Sequence, residues 1–147
     1  MKSPAPTPPE PSSTILLVDD DPTFLQDLRD LLLTYMPNTH VLTAQSGVEA
    51  LAILRSKSVD LIISDQNMPE MDGLHFLDAA RTHHPDVPRI MMTGYPVFET
   101  AMGALNQARV GEFIPKPPNP ERTIQAVKRA LIERSINRES GAAGSAA

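Results

Sequence analysis

An α/β fold follows from two features of this sequence. Five short apolar segments alternate with stretches of helical spacing, and the first and third segments end in acidic residues. Such regular alternation predicts a parallel sheet with helices on both faces, a three-layer (βα)5 sandwich joined by right-handed crossovers. Acidic residues just past a strand fall at the carboxyl edge of an open sheet, the edge where such folds bind ligands.

Residues 1–13 hold Pro4, Pro6, Pro8, Pro9 and Pro11, a composition that forms neither helix nor central strand and reads as an extended leader. Strand one is predicted over Thr14–Val18. Asp21 and Pro22 then open a helix, as N-cap and first helical residue, with Phe24, Leu28, Leu31, Leu32 and Tyr35 as its apolar face. Strand two covers Thr39–Ala44, and a short helix follows with Gly47, Ala50, Leu51 and Leu54 inward. Strand three covers Val59–Ser64. The next helix starts near Gly73 and buries Phe76, Leu77 and Ala80. Strand four covers Val87–Thr93, and Val97, Ala101, Leu105 and Ala108 mark the helix after it. Strand five is short, Glu112–Pro115, and belongs on an edge because Pro115 has no N–H to give a second neighbour. Asn119-Pro120 repeats the cap signal, and the last helix buries Ile124, Val127 and Leu131. Residues 138–147 are a low-complexity tail, which leaves 14–137 as one domain. Five strands favour the flavodoxin-like order 2-1-3-4-5.

Composition narrows the chemistry. The absence of Cys excludes disulfides, thiolate catalysis and Cys-held metals. A formal net charge of −5 argues against direct nucleic-acid binding. No apolar run approaches the roughly 20 residues of a membrane span, and the leader lacks a signal-peptide core, so a cytoplasmic protein without membrane attachment is expected. His40, His75, His83 and His84 show no ligand spacing. Arg122, Lys128, Arg129, Arg134 and Arg138 bias the last helix toward positive charge, but Glu121, Glu133 and Glu139 interrupt them, which suits a solvated face.

The carboxyl edge collects Asp19 and Asp20 from strand one, Asp65 from strand three, Thr93 and Gly94 from strand four, and Lys116 from strand five. Three carboxylates crowded on adjacent strands repel one another unless a cation neutralises them. Oxygen donors of this kind suit Mg²⁺. A carboxylate nucleophile, a metal, a hydroxyl and an ammonium together suit phosphoryl transfer, in which positioning and charge neutralisation dominate.

Val18-Asp19-Asp20, Asp65-Gln66-Asn67-Met68-Pro69 with Met71-Asp72-Gly73, Thr93-Gly94 and Lys116-Pro117 stand in the order and on the strand ends found in one family. The chain resembles the receiver domain of two-component response regulators over about Thr14 to Ile136. That family has the flavodoxin-like sheet order, so the two fold expectations are not independent. The resemblance implies that Asp65 is the phosphoacceptor. It implies that Asp20 and Asp65 bind Mg²⁺ directly, that the Asn67 carbonyl adds a third ligand and that Asp19 holds the ion through water. It assigns Thr93 and Lys116 to the phosphoryl group, makes Thr93 and Phe113 the switch pair, and implies a frequently cis Lys116–Pro117 bond. The implied partners are a sensor histidine kinase or phosphotransfer protein, and a downstream protein or a missing effector domain. A phosphorylation-dependent homodimer is compatible with it. The protein is expected to be a phosphoacceptor rather than a turnover enzyme.

Some residues depart from the pattern. Pro115 and Pro118 bracket the Lys116-Pro117 pair and stiffen that loop, and Phe113 lacks the hydroxyl of the commoner Tyr. Asn67 and Tyr95 occupy positions that the family uses to tune hydrolysis of the aspartyl phosphate. Two rivals remain at this level. Asp19-Asp20-Asp21-Pro22-Thr23 also resembles the opening motif of haloacid-dehalogenase-like phosphatases, with Asp19 as nucleophile and Asp21 as acid/base. A pseudo-receiver that binds partners without phosphorylation is the other.

Overall fold

The computed structural model describes residues 13–94 and 110–146. Five parallel strands, β1 (Thr14–Val18), β2 (His40–Ala44), β3 (Leu61–Asp65), β4 (Arg89–Thr93) and β5 (Glu112–Pro115), form one sheet in the order β2-β1-β3-β4-β5. Four helices are described: α1 (Pro22–Tyr35), α2 (Gly47–Ser56), α3 (Gly73–His83) and α4 (Pro120–Ala146). The leader up to Ser12, the helix expected over 97–108 and Tyr95 lie outside the described residues.

The sheet is covered on both faces, which is why its central strands read as near-continuous apolar runs. Ile15, Leu17, Ile63, Ile90, Met92 and Ile114 face one core with Leu25, Leu28 and Leu32 of α1 and Ile124 and Val127 of α4. Leu16, Val18, Ile62 and Met91 face the other with Ala50 and Leu54 of α2 and Phe76, Leu77 and Ala80 of α3. The edge strands β2 and β5 are only partly covered, and β5 is on the edge as Pro115 required.

Caps set the helix starts. Asp21 accepts from the Thr23 and Phe24 amides at the head of α1, Ser46 accepts from Glu49 before α2, and Asp72 accepts from His75 before α3. The Asn119 side chain accepts from the Arg122 amide at the start of α4.

Several expectations shift. Tyr35, expected inward, is 57% exposed, whereas Leu25 is buried. The buried stripe of α1 runs through Leu25, Leu28 and Leu32 to the partly buried Met36, so Tyr35 falls one residue off it toward water. Strand three starts two residues later than expected and includes Asp65 as its last residue. The strands before and after it start one and two residues late, at His40 and Arg89. The last helix continues to Ala146, past the expected end near Asn137. Its basic residues lie mostly on a solvated face, as expected: Arg122, Lys128, Arg129 and Arg138 are exposed, with Arg129 pairing with Glu112 at 2.8 Å. Arg134 is the partly buried exception, reaching Asp60 together with Arg138. Among the described residues no helix is long and apolar enough to cross a membrane.

Candidate functional site

Strand register assembles the site. Val18 pairs with Ser64, so the next residues, Asp19 and Asp65, leave adjacent strands at one level. Asp65 pairs with Met92, one residue before Thr93, and Thr93 pairs with Pro115, one residue before Lys116. The Lys116 amide donates to the Thr93 carbonyl at 2.8 Å, extending the β4–β5 ladder to the lysine itself. The Lys116–Pro117 peptide bond is cis. A Cβ at Gly94 would meet Lys116 only at 4.0 Å, so that glycine leaves room beside the site.

Asp19, Asp20 and Asp65 converge so that one carboxylate oxygen of each lies within 4.8 Å of the others. Asp19 is 2% and Asp65 9% exposed, whereas Asp20 is open to solvent. Lys116 bridges the two buried members, with Nζ 2.7 Å from Asp19 Oδ2 and 3.1 Å from Asp65 Oδ1. The other Asp19 oxygen accepts from the Asp21 amide at 2.9 Å. Thr93 is buried at its strand end. Phe113 is half-buried in β5 and packs against the core that contains Phe76 and Met91.

Burial raises the Asp65 pKa above the ordinary carboxylate value, and the neighbouring Asp19 charge raises it further, while Lys116 pulls it back. Burial works against the charge of Lys116, but its contacts with Asp19 and Asp65 outweigh that and lift its pKa. The ammonium therefore stays protonated at neutral pH. Three carboxylates against one ammonium leave the cluster short of positive charge, and all its side-chain donors are hard oxygens. That donor set fits Mg²⁺.

The loop after β3 is braced by a residue that sequence reasoning passed over. Gln66 is buried; its backbone carbonyl accepts from the Gly73 amide and its side-chain Oε1 from the Leu74 amide, both at 2.9 Å. One residue thereby ties the strand end to the start of α3. Gly73 is required there, because a Cβ would stand 2.1 Å from the Asp65 carbonyl oxygen. Glu70, at φ 68°, makes the intervening turn, and Asn67 sits exposed on the loop. Phe24 was read as core, yet its ring centroid lies 4.0 Å from Lys116 Nζ. No spacing rule links residue 24 to residue 116, so neither contact had a sequence signal.

Asp21, the acid/base of the phosphatase alternative, is committed as the α1 cap. Comparison with known proteins also does not favour that alternative. The response regulator receiver domain profile matches residues 15–128. The chain is 39% identical over 117 residues to the transcriptional regulatory protein GlrR of Escherichia coli, covering 80% of this chain and 26% of that protein. It is 34% identical over 124 residues to the hydrogenase transcriptional regulatory protein HoxA of Cupriavidus necator, covering 84% and 25%. The chain thus spans about a quarter of the length of these relatives. Among solved structures, the signal receiver domain of an HD domain-containing protein from Pseudomonas fluorescens superimposes with a TM-score of 0.80 at 31% identity, covering 90% of this chain and 96% of that one. The response regulator TrrA of Thermotoga maritima, solved in complex with Mg²⁺ and BeF, gives 0.73 at 28% identity, covering 81% and 99%. With its sheet order, its acidic edge and these matches, the chain belongs to the receiver domains of two-component response regulators.

Proposed function

We propose that Asp65 is the phosphoacceptor of this receiver, in a unit spanning 14–137. The observation that carries the reading is the position of Asp65: nearly buried at the end of a central strand, beside Asp19 and Asp20, with the Lys116 ammonium 3.1 Å away. Asp19, Asp20, Asp65 and the Asn67 carbonyl are the residues that would hold Mg²⁺, which when bound supplies positive charge against the oxygens of a phosphoryl group.

The chain's own residues then do the following. An oxygen of Asp65 attacks phosphorus of a donor, a phosphohistidine of a partner kinase or a small acyl phosphate. The new O–P bond forms as the donor's bond to phosphorus breaks, and its electron pair leaves with the donor. Lys116 turns from the Asp65 carboxylate to donate to a phosphoryl oxygen, and the Thr93 hydroxyl donates to another. Movement of Thr93 toward the phosphoryl group frees space that Phe113 enters. That changes the face around β5 and the first turns of α4, where a downstream partner or effector segment reads the signal. The phosphoryl group favours the active arrangement only through contacts it makes better there.

Incubation with Mg²⁺ and acetyl phosphate, beside Asp65→Asn, with intact mass as readout, tests the reading. One phosphoryl adduct that requires Mg²⁺ and Asp65 is the expected result. No adduct under conditions that label a known receiver would leave a partner-binding module instead. Turnover of a phosphomonoester that requires Asp21 would restore the phosphatase alternative.

A further inference from the structure

Lys116 is held by more than its two carboxylates. Its ammonium has three N–H bonds. Asp19 Oδ2 lies 2.7 Å and Asp65 Oδ1 3.1 Å away, and a third side faces the Phe24 ring, whose centroid is 4.0 Å distant. An ammonium over an aromatic face is attracted by the ring's quadrupole, more strongly where water is partly excluded, and the Lys116 side chain is only 23% exposed.

The ring does not float. Phe24 packs against the core of Leu25, Leu28 and Ile114. Its amide donates to the Asp21 side chain, whose own amide donates to Asp19 Oδ1. Asp19, Asp21, Phe24 and Lys116 therefore form a closed circuit: carboxylate to cap, cap to the Phe24 backbone amide, Phe24 ring to ammonium, ammonium back to the same carboxylate. We infer that Phe24 is a positioning residue for phosphoryl transfer, a fixed aromatic wall that keeps the Lys116 ammonium over Asp65 instead of letting it swing into water. The inference rests on Asp65 being the acceptor. It adds a residue from α1 to a site otherwise built from strand ends and the loops after them.

Phe24→Leu keeps apolar volume and removes the π face. Labelling by acetyl phosphate, with saturating Mg²⁺, is expected to slow about three- to tenfold, the range a partly desolvated cation–π contact supports. Phe24→Tyr is expected to restore the rate. In a Lys116→Ala background, followed over longer times, Phe24→Leu is expected to add no further loss, because its effect passes through the ammonium. The contact has its own readout in the unmodified protein: ring current shifts the Lys116 Hε protons upfield in NMR spectra, and Phe24→Leu abolishes that shift. Wild-type labelling rates in Phe24→Leu, or an equal loss with and without Lys116, would overturn the inference and leave the receiver reading standing. A wild-type protein that never labels would overturn the receiver reading and the transfer role of Phe24 with it. Absence of the upfield shift in the wild type would overturn the contact itself, however labelling behaves.

Discussion

Strand β3 has an aspartate at each end, and their surroundings are opposite. Asp60, just before the strand, accepts from the Thr14 amide at 2.8 Å, and Arg134 Nε and Arg138 Nη1 lie 3.4 and 3.3 Å from its other oxygen. Asp65, the last residue of the strand, shares a single ammonium with Asp19 and has two carboxylates for company. At one end fixed donors surround one negative charge. At the other, negative charge is in excess and one group is held in a form it resists. Donors that saturate a carboxylate make it part of the scaffold, whereas crowding by like charge leaves it wanting a cation or a bond to phosphorus.

The largest expected effect is at the crowded end. Asp65→Asn is expected to lose phosphoryl labelling altogether. Burial and Asp19 together raise the Asp65 pKa, so its ionisation costs folding free energy that grows as pH rises through the unfolded carboxylate value and is fully present above the raised folded one. The amide escapes that cost, so the Tm of Asp65→Asn in metal-free buffer at neutral pH is expected to equal or exceed that of the parent. A clear fall in Tm would mean that Asp65 is scaffold after all, and the contrast with Asp60 would be lost.

Gly73→Ala sharpens the contrast from the loop. Its Cβ would stand 2.1 Å from the Asp65 carbonyl oxygen and 2.9 Å from Gln66 Cα. Backbone cannot yield there as a flexible side chain would, so the expected cost is about 3 kcal/mol of stability, measured by urea denaturation, together with slower labelling of the folded fraction. Normal stability would show that the acceptor end of β3 tolerates movement.

Asp60→Ala is the reciprocal test. It strips the Thr14 amide and two guanidinium groups of their common acceptor, and Arg134 is only 16% exposed. About 2 kcal/mol of stability is expected to be lost, while folded protein still labels at Asp65. Loss of labelling in protein that remains folded would tie the far edge of the sheet to the chemistry.

This division bears on what the sequence could say. Strand and helix identities were legible because both cores impose periodicity, and Asp65, Asp19 and Lys116 were legible because each directly follows or closes an apolar strand. Phe24 and Gln66 were not, since a ring that faces its own core and an amide inside a loop leave no pattern along the chain. Tyr35 was misread because helical spacing defines a stripe only to within a residue, and the packing of α1 against the sheet decides which side of it faces water. The pairing of Arg134 and Arg138 with Asp60 was invisible for the same reason as Phe24: it spans residues more than seventy positions apart.

Asp72 provides the finest test, because it closes the loop that starts after Asp65 and its pKa moves the other way. Burial alone would push it up, but the His75 amide at 2.8 Å and the His75 ring at 2.7 Å outweigh that and hold it below the ordinary carboxylate value. A carboxylate with a lowered folded pKa contributes stability above its unfolded pKa and loses it as pH falls through the folded value. Asp72→Asn keeps the capping oxygen and discards the charge. At neutral pH it is expected to cost roughly 0.5 kcal/mol, since solvent screens this half-exposed pair. Urea melts taken from neutral pH to about pH 3, below the ordinary carboxylate pKa of roughly 4, should show the two proteins converging. A gap that stays constant with pH would mean that Asp72 acts through cap geometry alone, and that charge on this loop matters only at Asp65.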